Sequence, residues 1–114
     1  DCYLLRFIKP IDERYFLDIC AAYRNIVLVE DGIQTGGIAQ SLASLLRSRR
    51  TDVRTAVLAF GELFYPQGTR REILASAGLS SAHIADAVRQ LRSGGSFSEL
   101  ESIVNPGMGS VPFL

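Results

Sequence analysis

Val29-Glu30-Asp31-Gly32-Ile33-Gln34-Thr35-Gly36-Gly37 joins two kinds of periodicity, and the fold of this chain turns on it. Upstream lies Ile26-Val27-Leu28-Val29, a short apolar run rich in branched side chains, which suits a central parallel strand covered on both faces. Glu30-Asp31-Gly32 is expected to close that strand, and Gly36-Gly37 to lead into a helix. There Ile38, Leu42, Leu45 and Leu46 recur at helical spacing, with Ala39 and Ala43 beside them to allow close approach to a sheet or a second helix. Arg47, Arg49 and Arg50 fall at the C-terminal end, where positive charge complements the helix dipole. We expect that role for them rather than ligand binding.

A similar unit precedes this one. Cys2 to Ile8 is apolar and reads as a strand, and Lys9-Pro10 ends it, because the residue before proline avoids helical dihedrals. Asp12 then stands as a helix N-cap. Ile11 and Phe16 occupy the positions of a hydrophobic staple, and Phe16, Ile19, Cys20 and Tyr23 form one apolar stripe. Downstream, a third strand is expected from about Val53 to Phe60, followed by a loop from Gly61 to Gly68. Thr69-Arg70-Arg71-Glu72 has the spacing of a capping box, opening a short helix that Gly78 ends. Ser80 or Ser81 caps a further helix with Ile84, Ala85, Val88 and Leu91 on its apolar face, and Gly94-Gly95 ends it. Ser98-Glu99-Leu100-Glu101 again matches a capping box, and the stretch from Asn105 to Ser110 is expected to be mobile. Strands alternating with helices imply an α/β fold of three layers, α/β/α, with a mainly parallel sheet and right-handed crossovers.

With 114 residues there is room for one core, and nothing reads as a second domain or a signal peptide. No apolar run approaches the roughly 18 residues of a membrane helix. Twelve basic and twelve acidic residues cancel, so there is no electrostatic case for nucleic acid or an acidic membrane. Cys2 and Cys20 are read as reduced, mostly buried thiols of a cytoplasmic protein.

The residues offer little chemistry of their own. His83 is the only histidine, and in the first turn of a helix it reads as a surface or capping residue. Without a second histidine or clustered cysteines, no transition-metal site is expected. No serine sits in a GxSxG elbow. Gly32 to Gly37 follows a strand and opens a helix as phosphate loops do. However, it lacks the lysine followed by serine or threonine, and it does not match GxGxxG. Its amides offer an anion site in principle, but a tight turn and close packing are the expected use of the glycines. The carboxylates Glu30 and Asp31 at a strand's end suggest a signalling receiver domain. That reading fails, because the third strand ends in Ala59-Phe60-Gly61 without an acceptor aspartate and no lysine follows Lys9.

Three ordered segments carry a resemblance: Arg6 to Asp12, Val29 to Gly37, and Gln67-Gly68-Thr69-Arg70-Arg71-Glu72 with Ala77-Gly78-Leu79. From about Tyr3 to Leu91 the chain resembles the C-terminal domain of the transketolase family, and within it the 1-deoxy-D-xylulose-5-phosphate synthases. Departures are Ala39 where glycine often follows the paired glycines, Gln67 where histidine is common, and Gly61-Glu62-Leu63-Phe64 in place of a Gly-Leu-Pro-Asp-like stretch. The resemblance implies residues 1–92 as the family domain, lacking its first strand and helix, with 93–114 as an extension. It implies a parent transferase, cytoplasmic and homodimeric, that joins pyruvate and glyceraldehyde 3-phosphate with thiamine diphosphate and magnesium, for isoprenoid and thiamine biosynthesis. The family's GDG…NN motif and its activating glutamate are absent from this sequence, so no catalytic, cofactor-binding or metal residue is expected here. The partners implied are the enzyme's own N-terminal and middle domains, and Glu30, Asp31, Gly36 and Gly37 are the candidate domain or subunit contact. The competing reading is an independent small α/β module that binds a phosphorylated ligand at Gly36-Gly37.

Overall fold

A computed structural model describes residues 1–94. Its elements run α1 (Glu13–Cys20), β1 (Asn25–Ile33), α2 (Ile38–Arg49), β2 (Arg54–Phe60), α3 (Arg70–Ser76) and α4 (Ser81–Ser93). β1 and β2 pair in parallel across the α2 crossover, with Asn25 opposite Arg54 and Val29 opposite Leu58. Side chains alternate along a strand, so the sheet has two faces to bury. On one face, Ile26 and Leu28 pack with Phe16, Cys20, Leu42 and Leu46 of α1 and α2. On the other, Val27, Leu58 and Phe60 pack with Leu79, Ala87 and Ile84. The result is three layers, α/β/α, as expected.

Local signals set the helix ends. Asp12 accepts from the Tyr15 amide at 2.9 Å, and Ile11 packs into the cluster containing Phe16, as a staple should. Thr69 and Glu72 form the complete capping box of α3. That helix ends in a Schellman motif. Gly78, at φ 71°, donates to the Ala75 carbonyl, and Leu79 donates to Leu74 at 2.8 Å. Ser80 caps α4, which Gly94 ends in the left-handed region.

Four expectations are corrected. Cys2 to Ile8 forms no strand: it shares no ladder with β1 or β2, and a strand exists only as one side of a ladder. Leu4 and Phe7 are 83% and 80% exposed, and Cys2 is exposed rather than buried. Only Tyr3 is tethered, its hydroxyl sharing a 2.9 Å hydrogen bond with that of Tyr23. Second, β1 is not a central strand covered along its length, because the sheet of described residues has two strands and Val29 is 48% exposed. Third, Glu30-Asp31-Gly32 does not close β1. The ladder resumes at Ile33 opposite Phe60, so these three residues bulge opposite Ala59 alone. Fourth, α4 is rotated from the expected face: Ala87 and Leu91 are buried while Val88 is exposed. The small side chain at 87 lets the helix lie close to Leu58. The expected helical turn at Ser98–Glu101 and the tail from Asn105 lie outside the described residues.

Candidate functional site

The bulge in β1 and the start of α2 meet at the C-terminal end of the sheet. In open parallel sheets this is the end at which ligands are bound. Alternation persists through the bulge: Glu30 shares the parity of Ile26 and Leu28, which face α2, and Asp31 is exposed. Glu30 turns toward α2, where its Oε1 accepts from the Ile38 amide at 3.3 Å and its Oε2 from the Ala39 amide at 3.0 Å. Those are the first two amides of the helix, which have no partner within the helix itself. Gly37, the N-cap, has no side chain with which to satisfy them. A carboxylate at this position also complements the positive end of the helix dipole.

The two glycines are required for different reasons. Gly36 has φ +76° with open space around it, so its role is the turn. Its amide donates to Gln40 Oε1 at 2.8 Å. Gly37 has ordinary dihedrals, but a Cβ there would lie 2.5 Å from the Ile33 carbonyl and closer still to Glu30 Oε2. Asp31 faces outward and pairs with Arg70 at the start of α3, tying two exposed segments together. The structure therefore gathers Glu30, Gly36 and Gly37 into one unit, with Asp31 beside it in an exposed ion pair.

The loop has the outline of a phosphate cradle, with the first two amides of the helix turned to Glu30. The amides that would hold an anion already hold the chain's own carboxylate, and a phosphate would have to displace it. Other candidates are equally committed to structure. His83 Nδ1 lies 2.7 Å from the Ser80 hydroxyl, beside the α4 cap. Among the described residues, no three His, Cys, Asp or Glu side chains gather as metal ligands. Burial pushes the Cys20 thiol up, away from the reactive thiolate.

Of the arginines ending α2, Arg47 donates to the buried Thr55 hydroxyl at 3.2 Å. Arg50 donates to the Cys20 and Tyr23 carbonyls at 2.7 and 2.9 Å. Sequence reasoning missed that clamp and the Arg70 partner, which depend on packing that no local pattern announces; it also missed Gln40, which a glutamine at the third position of α2 does announce. Asp52, two residues beyond Arg50, is the one local hint, and it holds the other side of that guanidinium.

Comparison with known proteins bears on the same segments. The family described as "Transketolase, C-terminal domain" matches residues 2–84. A protein of Treponema pallidum (strain Nichols), named 1-deoxy-D-xylulose-5-phosphate synthase, is 52% identical over 85 residues, covering 75% of this chain and 14% of that protein. A protein of the same name from Methylococcus capsulatus is 34% identical over 84 residues, 74% of this chain and 13% of its own length. One from Escherichia coli (strain SMS-3-5 / SECEC) is 35% identical over 78 residues, 68% and 13% respectively. The chain thus spans only a small part of the curated relatives it matches.

Proposed function

The chain belongs to the transketolase C-terminal domain family, and on that premise we propose that it is the C-terminal structural and dimer-supporting domain of a 1-deoxy-D-xylulose-5-phosphate synthase. The observation that carries this reading is the 52% identity to the Treponema pallidum protein of that name. The family match supports it, since residues 2–84 contain all three motif segments. The parent enzyme would join pyruvate to glyceraldehyde 3-phosphate with loss of carbon dioxide, feeding isoprenoid and thiamine biosynthesis in the cytoplasm. No described helix is long and apolar enough to cross a membrane.

On this reading the segment itself binds no thiamine diphosphate or magnesium. Two features support that: the helix start most suited to a diphosphate is filled by Glu30, and the acidic side chains are scattered or paired with arginine. We therefore assign no chemical step to these residues. Their role is to present a contact surface to the N-terminal and middle domains or to a second subunit. Asp31 and Gly36 are exposed on it, while Glu30 and Gly37 hold the loop from beneath. The exposed Tyr3, Leu4, Phe7 and Ile8 are further apolar area of the kind that such contacts bury.

Two measurements test the reading. The purified polypeptide carrying this domain should form 1-deoxy-D-xylulose 5-phosphate from pyruvate and glyceraldehyde 3-phosphate, and absence of product under saturating cofactor overturns the assignment. Separately, calorimetric titration of the 114-residue chain with thiamine diphosphate and magnesium should give no heat of binding. Micromolar binding would move the cofactor site into this segment.

A further inference from the structure

We draw no further inference here: the strongest candidate, the apolar surface formed by the Tyr3–Ile8 segment and the unpaired side of β1, belongs to the contact role already proposed, and nothing in the structure shows what else would cover it.

Discussion

Glu30 and Gly37 form a single structural unit: the Glu30 carboxylate occupies the space that a side chain at 37 would need. From there it satisfies the amides of Ile38 and Ala39. The strand's bulge, the glycine and the helix start are therefore interdependent.

That dependence predicts non-additivity. Glu30→Ala should cost about 0.5–2 kcal/mol, the value of a helix cap. Gly37→Ala should cost about 1–3 kcal/mol through overpacking against Glu30 and the Ile33 carbonyl. In the double variant the second substitution should cost less than it does alone, since half of its clash has gone. Chemical denaturation of the four proteins gives the coupling. Strictly additive midpoints would mean that Glu30 swings clear of Gly37 at no cost.

Gly36 should behave differently, because its constraint is the backbone and not the space. Gly36→Ala places an L-residue at φ +76° and should cost about 1–2 kcal/mol, with Gly36→Asn milder because asparagine tolerates that region. Equal losses for alanine and asparagine would argue that something other than the turn requires glycine.

Much of this was legible in the sequence because it depends on neighbours along the chain. Asp12, Thr69 with Glu72, Ser80 and Gly78 all act within a helical turn of themselves, and each does what its position implies. The layer order followed from periodicity for the same reason. Pairing was less legible. The Cys2–Ile8 run has the composition of a strand, but a strand needs a neighbouring ladder that composition does not supply. At the candidate site, Gly36-Gly37 was readable as a turn. The identity of the group capping α2 was not, because it depends on which strand face α2 packs against, and only that packing puts Glu30 rather than Asp31 beside the helix start.

Acid should weaken the fold in a specific way. The Arg50 guanidinium holds the Asp52 carboxyl below its usual range, and the Thr69 amide and hydroxyl do the same for Glu72. For a carboxylate lowered on folding, the stabilisation is complete above the ordinary carboxylate pKa. It is lost as pH falls through the lowered value. Replacing the pair (Asp52→Asn with Glu72→Gln) should reduce stability at neutral pH and flatten its decline in acid. Parallel stability curves for variant and parent between neutrality and the acid limit would rule these two groups out as the source.

Arg50 should matter more than the ion pair it makes. Its Nη1 donates to the Cys20 and Tyr23 carbonyls, closing the C-terminal end of α1 and the turn into β1, while its other edge meets Asp52. The carbonyls at a helix end have no partner within the helix, and here the arginine side chain covers them, with a side-chain exposure of 19%. Hydrogen bonds from a charged donor are stronger than those between neutral groups. The half-exposed Asp52 side is weakened by solvent screening. Arg50→Ala should therefore destabilise the domain well beyond Asp52→Ala. Arg50→Lys should recover little, because one ammonium cannot span two carbonyls and a carboxylate as a planar fork does. Denaturation midpoints of the three variants decide the matter. Near-equal losses for Arg50→Ala and Asp52→Ala would show that the ion pair, and not the clamp on the first helix, is what the arginine provides.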